Sequence, residues 1–430
     1  MKSKVWLWIV IAIVVIGAGV IQAASFNPNI FVYVGSGDAE TLDPSKAYDT
    51  ASSEIIFQYY DNLLSYKEGS LSEFQPMLAT KVPSVENGLI SADGKTYTFP
   101  IRKGVKFHNG AEMTPADVEY TLERNIFADP VGGPIWMLLE PIFGKASIED
   151  LACEIAGVDS FDQVDKASLL KTAKRVMDAI KVDGDNVVIK LVQPYPPFLA
   201  ILARNSSWTA IINKEWMIKN GAWDGKAENW TKWHNLQTEE QVLFEKAMGT
   251  GPYKQVEWNR SNSRHTMEAH ADYWQGPAAI KTVIVNNGVT EFNTRKLMLQ
   301  RGEADAIYVP VENSPQIEGL EGVELIRNLP RLNNVCAIFN QEINAVDNEF
   351  VGSGKMDGNG IPADFFADVN IRRAFSYAFD YNSFIEEVVL GEASVPYGVL
   401  PVGLSDFFDT DGFQYSYDLK KAEEHFRKAF

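Results

Sequence analysis

The stretch from Ser91 to Arg124 leaves the backbone fewer choices than any other part of this chain. Asp93-Gly94 is a turn signal, because glycine accepts a positive φ without strain. Thr96 to Arg102 has the composition of a strand. Pro100 has no N–H to give a ladder, so that strand belongs at an edge or a bulge. Asn109-Gly110 closes a further turn. Thr114 then stands as an N-cap, and Pro115 fits the first helical position, where a missing N–H costs nothing. Asp117 occupies the third position, a variant of the capping box. Val118 and Leu122 begin an apolar face at i, i+4. A strand, a turn and a capped helix in one run predict mixed α/β structure.

The rest of the chain reads the same way. Ile30 to Val34 is a short strand, and Ser52 to Leu64 a helix with Ile55, Ile56, Tyr59 and Leu63 on one side. Residues 145–180 are polar and helical. Val187 to Val192 is a strand stopped by Pro194, Pro196 and Pro197. Residues 213–248 are Trp-rich and charged, with helices and long loops. Tyr253 to Trp258 and Ile280 to Val285 are strands. Thr290 caps a helix that ends near Gly302, and Ala304 to Val309 is a strand; this strand–helix–strand run predicts an α/β lobe. Residues 344–362 form a glycine-containing loop, and helices start at Asp368, Asn382 and Asp418. The last helix has no glycine cap, and its apolar Phe426 and Phe430 call for a partner surface elsewhere.

The 430 residues allow about three domains. The 46% hydrophobic content supplies a large core, so disorder is excluded as a general description. The net charge of −18 makes nucleic acid and anionic membrane poor partners and otherwise speaks to solubility. Lys2 and Lys4 precede the uncharged run Val5 to Ile21, a basic region followed by an apolar one. Small residues come next at Ala23, Ala24 and Ser25. A cleaved signal peptide and an uncleaved anchor both fit, since the run is at the short limit for a bilayer span. Either places the rest of the chain outside the cytoplasm. Cys153 and Cys336 have no CxxC or Cys/His surroundings and form no zinc site. Two separate buried thiols are expected of them, with a single disulfide as the alternative.

Several familiar patterns fail. Gly352-Ser353-Gly354-Lys355 has Glu349 where a phosphate loop needs its first glycine, and Met356 where it needs Ser or Thr. No GxSxG or HExxH occurs. His265 and His270 are five apart, off any common helical face, and are expected to be solvated. Asp357-Gly358-Asn359-Gly360 and Asp409-Thr410-Asp411-Gly412 look faintly calcium-like, but turn chemistry accounts for them. No metal and no cofactor are expected.

The whole segment SADGKTYTFPIRKGVKFHNGAEMTPADVEYTLER closely resembles the signature of the peptide/nickel-type extracellular solute-binding proteins, family 5. Other blocks occur in the family's order: LDPSKAYD from Leu42, PMLATKVPS from Pro76, GTGPYKQVEW from Gly249, YWQGP from Tyr273, TRKLMLQRGEADAI from Thr294, FFADVNIRRAFSYAFD from Phe365 and YDLKKAEEHFRKA from Tyr417. The resemblance implies a two-lobed periplasmic-binding-protein fold of type II, with an extra domain inserted in the first lobe. Lobe I would comprise residues 25–60 and 185–285, the insertion residues 61–184, and lobe II residues 286–430, with a hinge at Asn286-Asn287-Gly288. Family members continue past the last block, so lobe II is expected to be incomplete here.

The implied role is that of a non-enzymatic, monomeric capture subunit of an ABC importer, delivering oligopeptides or oligosaccharides to membrane permease subunits. Ligand would lie between the lobes and be buried by hinge closure. A secreted hydrolase, whose paired carboxylates no sequence spacing reveals, and a membrane-tethered sensor are the alternatives of another class. By position in the matching blocks the expected ligand contacts are Tyr48, Asp49 and Thr50 in the first cleft loop. Trp136 in the insertion and Trp208 in the first lobe join them. In the second lobe they are Phe339 and Asn340, at the end of a strand, and Arg372, opening a helix. Core packing for the aromatics, a helix cap for Asp49, a strand-end turn for Asn340 and a helix-surface role for Arg372 are the competing structural readings.

Overall fold

The computed structural model of the protein describes residues 27–68, 70, 72–203, 207–327, 329, 333–355, 357–401 and 412–429. The leader, with Val5 to Ile21, and Asp409 to Asp411 lie outside the described residues. Backbone contacts divide the chain into two compact units, the first ending at Tyr308 and the second starting at Val309.

The first unit opens with β1 (Ile30–Val34), α1 (Thr50–Tyr59), the short β2 (Leu64–Tyr66) and β3 (Phe74–Pro76), and β4 (Thr96–Pro100). Four helices come after it: α2 (Pro115–Ala128), α3 (Trp136–Phe143), α4 (Ile148–Ala156) and α5 (Lys166–Ala179). The hairpin β5 (Ile180–Asp183) and β6 (Asn186–Lys190) comes next. After short helical turns the unit finishes with β7 (Tyr253–Asn259), β8 (Arg264–Ala269), β9 (Thr282–Asn286), α6 (Phe292–Gln300) and β10 (Ala306–Ile307).

The main sheet has the order β10-β1-β9-β8-β7. β1 runs parallel to β9 and β10, and β8 runs antiparallel to both of its neighbours. A second, antiparallel sheet has the order β4-β6-β5. Pro100 ends its edge strand, opposite Asn186, where its missing N–H breaks no central ladder. The start of α2 is built as its sequence requires. The Thr114 N–H and hydroxyl donate to the Asp117 carboxylate at 2.8 and 2.9 Å, and Pro115 opens the helix. Val118, Leu122 and Ile126 are buried, as are Tyr120 and Phe127 on other faces, so α2 is covered nearly all round. Trp223 and Trp230, among the largest fully buried side chains, pack on it: Trp223 against Tyr120 and Phe127, and Trp230 against Phe127.

Four expectations for this unit are corrected. α1 stops at Tyr59 rather than Leu64. Leu63 is buried from extended backbone, where its carbonyl accepts the N–H of Met77 and Ala79 at 3.1 and 3.0 Å. α6 is capped by Glu291, because the Thr290 carbonyl is taken by the Arg295 guanidinium at 2.7 Å. β6, expected in lobe I, is the middle strand of the sheet that β4 and β5 form. Residues 286–308 stay with the first unit. β10 pairs with β1, and the Val32 N–H donates to Asp305 Oδ2 at 2.7 Å. Asn286-Asn287-Gly288 is tied down as well: the Gly35 N–H donates to the Asn286 carbonyl at 3.1 Å and the Asn287 N–H to the Ser263 carbonyl at 2.9 Å.

In the second unit α7 (Val369–Ala378) packs on α8 (Leu419–Ala429). Asp368 and Asp418 cap them, accepting the N–H of Asn370 at 2.7 Å and of Lys420 at 3.1 Å. Asp357 closes its glycine-rich turn by accepting from Ser353 Oγ at 2.6 Å and the Asn359 N–H at 2.9 Å. The strand expected to end at Phe339 and Asn340 does not form. Among the described residues no neighbouring strand offers it a ladder, and Val335 and Ile338 are 90% and 88% exposed. Neither cysteine is bonded, and they are not both buried: Cys153 is half-buried and Cys336 exposed.

Candidate functional site

The loop before α1 is set by one buried ion pair. Arg124 on α2 grips Asp43 with both terminal nitrogens, at 2.6 Å to each carboxylate oxygen. The guanidinium also donates to Ser45 Oγ at 2.8 Å and Gln241 Oε1 at 2.9 Å. Asp43 in turn accepts the N–H and the hydroxyl of Ser45 at 2.9 and 2.8 Å. Burial alone would raise the Asp43 carboxyl, but the Arg124 charge and the hydrogen bonds outweigh it and hold the group below the ordinary carboxylate range. The next few residues leave this anchor in a fixed direction. Asp49 Oδ1 accepts the Ser52 N–H at 2.7 Å and so caps α1, and Thr50 opens the helix, exposed.

Tyr48, between anchor and cap, is 50% exposed. Its ring meets that of Trp208 edge-on, with centroids 6.0 Å apart. Its hydroxyl accepts from Trp136 Nε1 at 3.3 Å. Three segments far apart in sequence therefore bring Tyr48, Trp136 and Trp208 together. The backbone behind Trp208 is fixed: its carbonyl accepts from Asn125 Nδ2 at 2.8 Å, and Ser207 Oγ donates to the Ala47 carbonyl at 3.1 Å. Two polar atoms beside this aromatic platform, Trp208 Nε1 and Asp49 Oδ2, are buried with no hydrogen-bond partner among the described residues. Such atoms cost about 1–3 kcal/mol each when left unpaired. One is a donor and the other an acceptor.

A second polar patch lies where the parallel strands end. Open α/β sheets bind ligands beyond the carboxyl ends of their strands. Gly35 comes directly after β1, and a Cβ there would lie 2.4 Å from Asn287 Oδ1, so only glycine fits. Asn287 comes directly after β9, is buried, and leaves both amide atoms without a partner. Arg295 staples the neighbouring turn, donating to the carbonyls of Val289 at 2.8 Å and Tyr308 at 3.1 Å. Burial, with the Glu54 carboxylate next in weight, pushes the Tyr33 phenol up to about 12. His265 and His270, expected in solvent, are both buried. His265 alternates into the core from β8 and stacks on Trp258 at 4.8 Å. Both rings point an N–H at Asp38 Oδ1, at 3.4 and 3.3 Å. Burial brings His265 down to about 4 against the opposing pull of Asp38.

Phe339, Asn340 and Arg372 belong to the second unit. Phe339 packs against Phe366 and Phe375, with centroids 5.1 and 6.0 Å apart. Arg372 donates to the Phe366 and Ala367 carbonyls at 2.5 and 2.8 Å and so holds the turn before α7. Asn340 Oδ1 accepts the Glu342 N–H at 3.2 Å and is exposed. Sequence reasoning missed Arg124, Asn287 and Asp38. Arg124 gave no signal of its own, because it stands among other polar residues of α2, Thr121, Glu123 and Asn125, that are buried with it. Among the described residues no group of His, Cys, Asp and Glu has the arrangement of a metal site, and no helix is long and apolar enough to cross a membrane.

Among known proteins, the model of the bacterial extracellular solute-binding proteins, family 5 (middle), matches residues 73–430. The heme-binding protein A of Haemophilus influenzae is 26% identical over 408 residues, covering 94% of this chain and 62% of that protein. The dipeptide-binding protein of Escherichia coli is 26% identical over 420 residues, covering 95% and 64%. The periplasmic binding protein DppA of Helicobacter pylori, solved with the peptide STSA, superimposes with a TM-score of 0.59 at 22% identity, over 93% of this chain and 66% of that one. This likeness shows the mixed α/β fold of the two-lobed periplasmic binding proteins. The chain spans about 62% of the length of the first curated relatives it matches.

Proposed function

The chain belongs to the bacterial extracellular solute-binding proteins, family 5, and from that premise we propose that it captures oligopeptides outside the cytoplasm and passes them to an ABC permease, as a receptor and not as a catalyst. One observation carries the reading: Tyr48, Trp136 and Trp208 form an aromatic platform flanked by a buried unpaired acceptor, Asp49 Oδ2, and a buried unpaired donor, Trp208 Nε1. A peptide offers both an N–H and a carbonyl to such a pair, and its side chains rest on ring faces. The three aromatics also suit a sugar, whose ring would stack on them. The two readings separate at Asp49, which a cationic amino terminus needs as a charge and a neutral sugar does not.

Mass spectrometry of ligand retained by the protein identifies the class. Calorimetry with that ligand then compares Tyr48→Ala and Asp49→Asn. For a peptide, Asp49→Asn costs about 2–5 kcal/mol of binding; for a sugar, Tyr48→Ala is the costlier change. Wild-type affinity in both variants refutes the site.

A further inference from the structure

Trp136 serves two places. Its Nε1 reaches Tyr48, and its ring also lines a separate cavity of about 350 Å³. Small-molecule sites run from roughly 300 to 1,000 Å³. The walls are preformed. Asn235 clamps the loop after α2, accepting the Val131 N–H at 3.0 Å and donating its own N–H to the Ala128 carbonyl at 2.8 Å. A Cβ on Gly133 would collide with Pro130 at 2.7 Å, so the loop can be this tight only with glycine there.

The polar content of the cavity is one-sided. Asp129, at the C-terminal end of α2, is only 8% exposed. Its Oδ2 accepts the Ile148 N–H at 2.7 Å, which leaves Oδ1 open on the cavity that the residue lines. Glu149 is oriented by His234 Nε2, 2.9 Å from Oε1, which leaves Oε2 open. No lysine or arginine lines the space. The basic ring that does line it, His234, faces Glu149, and Lys145, next in sequence to the lining Ala146, is engaged by Glu154. The amino end of α4 does not invite an anion, because its Ile148 and Asp150 N–H groups already donate to Asp129 and to Ser147 Oγ. A carboxylate this buried, with an open oxygen and an indole beside it, is matched by a cation that fills the cavity.

We propose that this cavity is a subsite for a primary ammonium or guanidinium group, the lysine or arginine side chain of a bound peptide, with Asp129 Oδ1 and Glu149 Oε2 as acceptors and Trp136 as the cation–π wall. The inference rests on the peptide reading and deepens it, because Trp136 joins the cavity to the Tyr48 platform. The state of Asp129 agrees: burial lifts its carboxyl to about 6, against the pull of the Ile148 hydrogen bond and His234, and an arriving cation would bring it down again.

The test is calorimetry on the full chain with paired peptides, identical except for lysine or its neutral isostere norleucine. The lysine peptide is expected to bind about tenfold tighter to the wild type. In Asp129→Asn that preference falls to within about twofold, while the norleucine peptide binds as before. Asparagine keeps an acceptor for the Ile148 N–H, and Glu149→Gln gives a second reading if the first variant melts early. Equal binding of the two peptides by the wild type, or a full lysine preference in Asp129→Asn, overturns the subsite. If neither peptide binds, the peptide reading has failed, and agmatine, a free alkylguanidinium, decides the cavity by itself. Saturable binding weakened at least about tenfold by Asp129→Asn supports it; no binding, or binding unaffected by the substitution, overturns it.

Discussion

Arg124→Met is the sharpest perturbation this molecule offers. It keeps length and apolar contact but removes the guanidinium that faces Asp43, which is 0% exposed. Two bonds of 2.6 Å to Asp43 vanish, with those to Ser45 and Gln241. Breaking a buried pair on one side costs about 3–5 kcal/mol. Asp43 keeps only Ser45, so the upper part of that range, about 4–5 kcal/mol, is expected at pH 7. The double variant Asp43→Leu/Arg124→Met leaves no orphaned charge and is expected to recover most of the loss. The acid limb supplies a second signature. Asp43 is held below its ordinary range in the wild type, so its contribution is present above the unfolded value and fades as pH falls through the folded one. Without Arg124 the buried carboxyl instead prefers its proton, so the gap between variant and wild type narrows on acidification. Urea titration tracked by tryptophan emission is the assay. Beyond Trp6 and Trp8 in the leader, all tryptophans fall between Trp136 and Trp274, so the emission change reports the first unit. A loss under about 1 kcal/mol, or a double variant no better than the single one, would refute the reasoning.

Two further outcomes concern buried titratable groups. Burial, and next the neighbouring Glu119 carboxylate, push Glu123 up to about 8; its contribution is fully present below the unfolded value and is lost as pH rises through 8. Glu123→Gln should therefore change little near the unfolded value of 4.5 and stabilise by about a few kcal/mol near pH 9 in denaturant titrations, and an equal effect at both pH values counts against it. Burial pushes His108 down to about 3, with its Nε2–H donating to the Gly251 carbonyl at 3.1 Å. Its contribution is present above the unfolded value near 6.5 and fades as pH falls toward 3. Its ring resonances should stay flat between pH 7.5 and 5, and an inflection near 6.5 would show a solvated imidazole.

Local chemistry was the legible part of this fold. The turns, the edge proline and the cap of α2 were readable because each depends on residues within a few positions, and β1, β4 and β7 fell where composition put them. Pairing across long separations was not readable. Asn286-Asn287-Gly288 looks like a hinge, and nothing near it reveals that β10 returns to β1. β8 escaped because its inward residues are His265 and Met267, and a buried histidine disguises the alternation of apolar side chains. The candidate site divides likewise. Tyr48, Trp136 and Trp208 were each nameable, and the structure places them in contact, but the acidic cavity behind Trp136 depends on which oxygens remain unpaired once Ile148 and His234 have taken theirs.

The position of β1 has a bearing on when the molecule becomes itself. This strand leaves the ribosome early, yet both of its neighbours, β9 and β10, lie beyond Thr282. Until they arrive, each hydrogen-bonding edge of β1 has nothing to join, and closing so long a loop is slow compared with forming the local β4-β6-β5 sheet. The main sheet therefore closes after the local one, around its oldest strand. A chain built this way cannot close its main sheet until β10 has been made, however early its local sheet forms.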